Sequence, residues 1–276
     1  MKTKRVAIIG GGIAGLTAAW QIAQFAQAGA PIEAQLFESS PRLGGIVETV
    51  HRDGFLIECG PDAWVSEKPW ARDLALELGL ADDLLLSDDT TRKTHIHLDG
   101  QLEAMPDGMR MMVPVDLAAL DASPLFTPSA KQAYHDELTR AAELKASSPS
   151  HDESIATFTR RHFGEEVLTR IAAPLLSGVL GGDVETLSMH AVMPQFVAME
   201  HSHGSLIAAL QARASRPAPP IFTTLRSGLG TLTHRLLQDT PPHWLHPNTT
   251  VTALTRTPHG WILRLSQSPA EQTFDA

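Results

Sequence analysis

Arg5-Val6-Ala7-Ile8-Ile9 runs without a break into Gly10-Gly11-Gly12-Ile13-Ala14-Gly15 and then Leu16-Thr17-Ala18-Ala19-Trp20-Gln21-Ile22-Ala23, and this stretch leaves few folds open. The first five residues form a short apolar run rich in β-branched side chains, the pattern of a strand buried in a parallel sheet. Gly10, Gly12 and Gly15 occupy the three defining positions of G-x-G-x-x-G. In that pattern the first glycine permits a tight turn, the second leaves room for a pyrophosphate against the backbone, and the third lets helix and strand pack closely. The helix start adds free N–H groups and the positive end of its dipole. A glycine-rich turn alone is common, but a second strand, Ile32-Glu33-Ala34-Gln35-Leu36-Phe37, ends in Glu38, twenty-three residues beyond Gly15. That is where the fingerprint puts the acid that binds ribose hydroxyls. A plain surface acid is the alternative, and the spacing favours the ribose role.

At 276 residues and 43% apolar content the chain can build one large domain or two modest ones around a sizeable core. A net charge of −9 argues against nucleic acid as a main partner. Cys59 is the one cysteine, so internal disulfides and cysteine-based metal clusters are excluded and a reducing, cytoplasmic compartment is expected. No apolar run is long enough for a secretory signal or a membrane span. No internal repeat is visible, and oligomeric state is left open.

After Glu38, Ser39-Ser40-Pro41-Arg42-Leu43-Gly44-Gly45 places an arginine and paired glycines where the second strand meets the next segment. The glycines allow backbone to approach a flat ligand, and the arginine can reach phosphate or ribose. Ile46 to Arg52 and Phe55 to Glu58 flank Asp53-Gly54, a strong hairpin signal, closed by Cys59-Gly60-Pro61-Asp62-Ala63-Trp64. Pro69 starts a helix that Gly79 ends. A second hairpin, Thr94 to Leu98 and Gln101 to Met105, turns at Asp99-Gly100. His95 and His97 share a strand face, but no third ligand is near and ordinary strand histidines are the better reading.

From Met105 the texture becomes helical. Thr127-Pro128 reads as a cap and first helical residue of a helix to Leu144, Asp152 as the opener of a helix that Gly164 stops, and Glu165 to Leu180 as a helix kinked at Pro174 and ended by Gly181-Gly182-Asp183. Another helix is expected over Met189 to Glu200, with His201 and His203 in a loop before Gly204, and a further one over Ser205 to Ala214. Arg216-Pro217-Ala218-Pro219-Pro220 reads as a linker. Strands return at Ile221 to Leu225, Trp244 to His246, Val251 to Arg256 and Trp261 to Leu265, with a helix to Gln238 between the first two. The expected fold class is α/β: a Rossmann-like nucleotide-binding domain with a parallel central sheet, 1–104 and 217–276, interrupted by a mostly helical insertion domain, 105–216.

The glycine loop, Glu38 and Arg42-Leu43-Gly44-Gly45 together resemble the FAD-binding start of the amine-oxidase superfamily. Four stretches narrow the likeness: Glu58-Cys59-Gly60-Pro61-Asp62-Ala63-Trp64 with Glu67-Lys68-Pro69; Met105-Pro106-Asp107-Gly108; Leu176-Ser177-Gly178-Val179-Leu180-Gly181-Gly182-Asp183-Val184-Glu185-Thr186-Leu187-Ser188; and Leu225-Arg226-Ser227-Gly228-Leu229-Gly230-Thr231-Leu232. In order along nearly the whole chain, these are similar to the oxygen-dependent protoporphyrinogen oxidase family, including its coproporphyrinogen III oxidase branch. Ser227 departs from the pair of glycines usual there.

The resemblance implies FAD-dependent oxidation of a porphyrinogen to the porphyrin in haem biosynthesis, in three two-electron steps, with dioxygen as acceptor and hydrogen peroxide as product. Carried over by motif, it places the pyrophosphate at Gly10, Gly12, Ile13, Ala14 and Gly15, the adenosine ribose at Glu38 with Ser39, and phosphate and flavin at Arg42, Gly44, Gly45, Gly60 and Pro61. Val251 would meet the adenine through its backbone. Arg110 is a candidate for a substrate carboxylate, with a solvated surface arginine as the equal alternative, and Gly181 would leave room for the macrocycle. No nucleophile–base triad and no metal site is expected, since the flavin carries the redox work. Peripheral membrane contact stays open, with no basic stripe to support it.

Family members continue well beyond Ala276, so the chain reads as truncated at its C-terminus. The remainder would hold sheet-completing strands, much of the substrate cavity and a flavin-contacting segment, and residues 1–276 alone are expected to turn over poorly or not at all. The competing readings are another flavin oxidase of the superfamily, acting on amines or as a carotenoid desaturase, and an inactive FAD-binding fragment.

Overall fold

A computed structural model describes residues 2–91, 93–98, 100–213, 220–266 and 268–276, and the chain divides into two units, Met1–Asp89 with Pro219–Ala276, and Thr90–Ala218. The first unit opens with β1 (Lys4–Ile9), α1 (Ile13–Gln27) and β2 (Ile32–Phe37). β1 and β2 pair in parallel from Lys4 with Ile32 to Ile9 with Phe37. Leu16, Ala19, Trp20 and Ala23, spaced three and four apart, are the buried face of α1. Strand alternation sorts the sheet: Ile8 and Leu36 pack with the α1 side, while Ala7 and Phe37 point to the other face. The Asp53-Gly54 turn joins β3 (Thr49–Arg52) to β4 (Phe55–Glu58), so the first strand of this hairpin starts later than its apolar run suggests. β5 (Trp64–Val65), α2 (Trp70–Glu77) and β6 (Leu84–Leu86) follow.

The second unit begins with the hairpin of β7 (His95–Leu98) and β8 (Gln101–Ala104), then the short antiparallel pair β9 (Met109–Arg110) and β10 (Val113–Pro114). The contact boundary thus falls before this hairpin, whereas the sequence reading put it after residue 104. Asp99 of the turn lies outside the described residues. The rest is helical: α3 (Leu117–Ala122), α4 (Pro128–Thr139), α5 (Ala141–Ala146), α6 (Ile155–Val167), α7 (Ala173–Leu180), α8 (Met189–Val192), α9 (Pro194–His203) and α10 (Leu206–Arg213). Tyr134, Phe158, Phe163, Leu120 and Ile171 lie in its buried core, and the Tyr134 hydroxyl donates to the Met112 carbonyl at 2.8 Å.

Several helix boundaries differ from expectation for local reasons. Arg140 leaves helical geometry at φ −87°, ψ 9°, splitting the expected helix to Leu144 in two. Ser154, not Asp152, caps α6 by accepting the Thr157 N–H, and Asp152 instead accepts the His190 N–H at 3.1 Å. Gly164 breaks the helical path within α6 rather than ending it. The expected helix from Glu165 to Leu180 is divided into the end of α6, a π-turn over Leu168–Ala172, and α7, in whose first turn Pro174 sits. His201 and His203 form the last turn of α9 rather than a loop.

The chain returns to the first unit with β11 (Phe222–Leu225), α11 (Gly230–Gln238), β12 (Leu245–His246), β13 (Val251–Thr257), β14 (Gly260–Leu265) and β15 (Ser268–Phe274). Ala214 and residues 216–219 of the expected linker lie outside the described residues. β12 adds in parallel to β2, giving the order β1-β2-β12. β13, β14 and β15 form an antiparallel sheet whose Leu263, Leu265 and Phe274 pack on Phe37. β15 was not foreseen. Past its end, Asp275 donates to the Arg5 carbonyl and Ala7 donates to the Ala276 carbonyl, both at 2.8 Å, on the free edge of β1. Among the described residues no helix is long and apolar enough to cross a membrane.

Candidate functional site

The site in the first unit grows from the turn between β1 and α1. Gly10 sits at φ 104°, where a side chain is strained, and its N–H donates to the Phe37 carbonyl at 2.9 Å. A Cβ on Gly15 would lie 2.0 Å from the Gly10 carbonyl oxygen, so this glycine is fixed by the contact of helix with turn. Gly12 differs: the nearest atom to its Cβ position is Gly45 Cα at 3.9 Å. Gly12 also precedes α1, and no side chain caps that helix start. The turn is therefore closed at Gly15 and open at Gly12, and α1 starts beside the opening at Ile13 and Ala14, whose N–H groups have no partner within the helix.

Glu38 leaves β2 toward this turn. Its carboxylate accepts the Gly11 N–H at 2.7 Å on one oxygen. The other oxygen accepts the Ser40 N–H at 2.7 Å and the Ser39 hydroxyl at 3.2 Å. The Ser40 and Gly11 N–H groups outweigh burial and bring the Glu38 carboxyl from 4.5 down to about 2. It is an anion at neutral pH, and the Gly11-facing oxygen keeps acceptor capacity for a hydroxyl.

A pH dependence follows from this lowered value. Stability contributed by Glu38 is fully present above pH 4.5 and is lost as pH falls through about 2. Glu38→Gln, which cannot ionise, is expected to flatten the decline of the urea midpoint between those limits. An unchanged slope in the variant would show that Glu38 is not held as an anion.

The sequence-singled residues around Glu38 do come together. Gly44 donates to the Gly11 carbonyl at 2.7 Å, and Gly12 and Gly44 form an isolated parallel bridge. A Cβ on Gly45 would lie 2.8 Å from Gly12 Cα. Arg42 folds this loop upon itself: its guanidinium donates to the Gly45 carbonyl and, at 3.2 Å, to the Val47 carbonyl, and pairs with Glu48. Gly60 meets the same loop, since a Cβ there would lie 1.9 Å from the Ile46 carbonyl oxygen, and half-buried Pro61 follows it. On the other side Thr249 donates to the Glu38 carbonyl at 2.7 Å and Asn248 to that of Ser40 at 3.0 Å, which leads Val251 into β13 from the Glu38 end of the sheet.

Two residues escaped the sequence reading. A Cβ on Gly11 would lie 2.4 Å from Leu43 Cδ2 and 3.0 Å from Glu38 Cβ. The run of three glycines was the available signal. Glu58 is the other: its carboxylate accepts hydrogen bonds from the Thr49 hydroxyl and the Leu229 N–H.

Arg110 and Gly181 belong to the second unit. Arg110 is exposed on β9. Gly181 ends α7 in the left-handed conformation at φ 67°, with nothing within 4 Å of its Cβ position. The same unit holds a cavity of about 520 Å³ walled by Met105, Met109, Met111 and Leu175, with Lys93 and Asp107 as its charged groups. Neither Arg110 nor Gly181 lines it.

Comparison with known proteins bears on this geometry. A family model described as flavin containing amine oxidoreductase matches residues 13–276. A coproporphyrinogen III oxidase of Bacillus subtilis (strain 168) is 35% identical over 276 residues, covering 95% of this chain and 56% of that protein. A chloroplastic protoporphyrinogen oxidase of Nicotiana tabacum is 35% identical over 217 residues, covering 77% of this chain and 36% of that protein. A crystal structure from Exiguobacterium sp. 255-15, of a protein provisionally named a protoporphyrinogen oxidase, superposes with a TM-score of 0.81 at 32% identity, over 100% of this chain and 58% of the other. The chain therefore spans about half the length of such relatives or less.

Proposed function

From a chain that belongs to the family of flavin-containing amine oxidoreductases, we propose the FAD-binding part of an enzyme that oxidises a porphyrinogen to the porphyrin with dioxygen as acceptor. The observation that carries the reading is the asymmetry of the glycine turn: packed shut at Gly11 and Gly15, open at Gly12, with an ionised Glu38 beside it. An extended dinucleotide fits such a cradle. Its pyrophosphate would lie against Gly10, Gly12, Ile13, Ala14 and Gly15, where helix N–H groups and the dipole offset its charge. Its ribose hydroxyls would donate to Glu38, beside Ser39, and its adenine would meet the backbone at Val251. Gly44, Gly45, Gly60 and Pro61 would border the phosphate and the flavin, with Arg42 holding that loop in shape. When bound, FAD supplies the two-electron acceptor, and these residues bind and orient it.

The substrate class rests on the relatives, which are named for coproporphyrinogen III and for protoporphyrinogen. Both are tetrapyrroles carrying carboxylate side chains, and exposed Arg110 is the proposed contact for one of these. Gly181, with open space at its Cβ position, would give the macrocycle room.

The direct test incubates the complete, FAD-loaded protein with each porphyrinogen in turn and follows porphyrin fluorescence and hydrogen peroxide against the autoxidation background. Porphyrin formation well above background on at least one substrate is expected. A flavin-loaded protein that turns over neither would remove this reaction from the chain, and a coupled peroxide assay on amines would then take up the alternative.

A further inference from the structure

We propose that Glu58 is a positioning residue for the flavin: by capping α11 from the β3–β4 hairpin, it sets how the Gly60-Pro61 turn stands against the Gly44-Gly45 loop. The inference rests on the reading that those glycines border the cofactor.

Thr49 and Glu58 face each other in the hairpin register. One Glu58 oxygen accepts the Thr49 hydroxyl at 2.7 Å and the other accepts the Leu229 N–H at 2.7 Å. Thr49 Oγ1 in turn accepts the Gly230 N–H at 2.8 Å. The start of α11 needs this help, because the residue at its N-cap is Leu229, whose side chain makes no capping hydrogen bond. A carboxylate there satisfies two donors and complements the helix dipole.

The approach is close because the helix start is built of glycine. A Cβ on Gly228 would lie 2.3 Å from Thr49 Cγ2, and one on Gly230 would lie 3.0 Å from Thr49 Oγ1. The hairpin end cannot slide along the helix without losing both hydrogen-bonded contacts. Each side of this joint leads straight into the proposed flavin border. Immediately after Glu58, Cys59 donates to the Glu48 carbonyl at 2.8 Å, and Gly60 then presses on the Ile46 carbonyl. On the helix side, the Thr233 methyl lies 3.6 Å from the Cβ position of Gly44. Glu58 thus ties Gly60 to the helix that backs Gly44.

The test titrates FAD into apoprotein of wild type, Glu58→Ala, Glu58→Gln and Thr49→Val. It records the Kd, the visible circular dichroism of the saturated flavin, and the Tm of the apoprotein. Removing the carboxylate leaves the partly buried Leu229 N–H and Thr49 hydroxyl without their acceptor, so Glu58→Ala is expected to weaken FAD binding about tenfold or more and to shift the flavin dichroism. Gln retains an acceptor for the Leu229 N–H and is expected to restore most of both. Thr49→Val, which keeps shape and loses only the hydroxyl, is expected to move both readouts in the same direction by less, and it serves if Glu58→Ala does not fold. A Glu58→Ala protein with a lower Tm but the wild-type spectrum at saturating FAD would make the residue merely structural and overturn the proposal. Unchanged affinity and spectrum would do the same where Gly12→Val abolishes binding. Tight binding by Gly12→Val would instead bring down the site reading, and this inference with it.

Discussion

Gly12→Val is expected to remove most FAD binding while leaving the fold intact. Gly12 has φ −73° and ψ −179°, extended backbone that valine adopts readily. Its Cβ position has no neighbour nearer than Gly45 Cα at 3.9 Å, so there is room for a Cβ there. That room is the space assigned to the pyrophosphate, and a filled cradle denies phosphate oxygens the backbone N–H groups. The expected loss is about a hundredfold or more in Kd, with a Tm within about 2–4 °C of wild type. Gly15→Ala makes the contrast. Its methyl would enter to 2.0 Å from the Gly10 carbonyl oxygen and 3.3 Å from Ile8 Cγ2, so strand and helix must part. Overpacking of this kind costs about 1–3 kcal/mol or more, and Tm and FAD affinity should fall together. Flavin fluorescence titration and thermal unfolding on the two variants separate the roles. A Gly12→Val protein that binds FAD as wild type does would place the cofactor elsewhere.

That contrast marks how far the sequence reached. Gly10, Gly12, Gly15 and Glu38 were legible because a strand, a turn and a helix in succession fix their relative places by local geometry alone. The same holds for the Asp53-Gly54 hairpin and for the helix start at the Thr127 cap and Pro128. What was not legible depends on contacts distant in sequence. Gly11 carries no signal beyond its neighbours until Leu43 and Glu38 close on it. Arg42 reads as a phosphate ligand, yet its guanidinium lies among the carbonyls of its own loop, an arrangement set by the turn's path. β15 contains Glu271, Gln272 and Thr273, too polar for an apolar-run search, and becomes a strand by pairing with β14. β12 lies within the strand expected at Trp244 to His246, but its parallel pairing with β2 is a contact distant in sequence.

The second unit carries a different liability, and Glu137→Ala should expose it. Glu137 is wholly buried on α4. One carboxylate oxygen accepts the Ser205 hydroxyl and the other the Leu206 N–H, both at 2.6 Å, so Glu137 caps α10 from another helix. The His162 ring links it onward, with Nδ1 3.2 Å from Glu137 and Nε2 3.4 Å from Glu200. Burial raises the Glu200 carboxyl, but His162 and Arg161 outweigh it and hold the group at about 2, an anion at neutral pH. Arg161 also reaches Glu153 at 2.5 Å. Residues from α4, α6, α9 and the start of α10 thus share one buried charge network. Such networks add little over a well-packed apolar core, but removing one member strands the rest, at about 3–5 kcal/mol. Truncation to alanine leaves the Leu206 N–H, the Ser205 hydroxyl and the ring without their acceptor, and opens a cavity besides. The expected result is a stability loss of about 3–5 kcal/mol confined to the helical unit. Urea unfolding would measure its size, and hydrogen exchange would find it as faster exchange in α4, α6 and α10 while the β1–β2 amides stay protected. Glu137→Gln keeps an oxygen for the Leu206 N–H and should lose clearly less. An alanine variant within about 1 kcal/mol of wild type would mean that water or repacking satisfies these donors, and that the helical unit does not depend on this carboxylate.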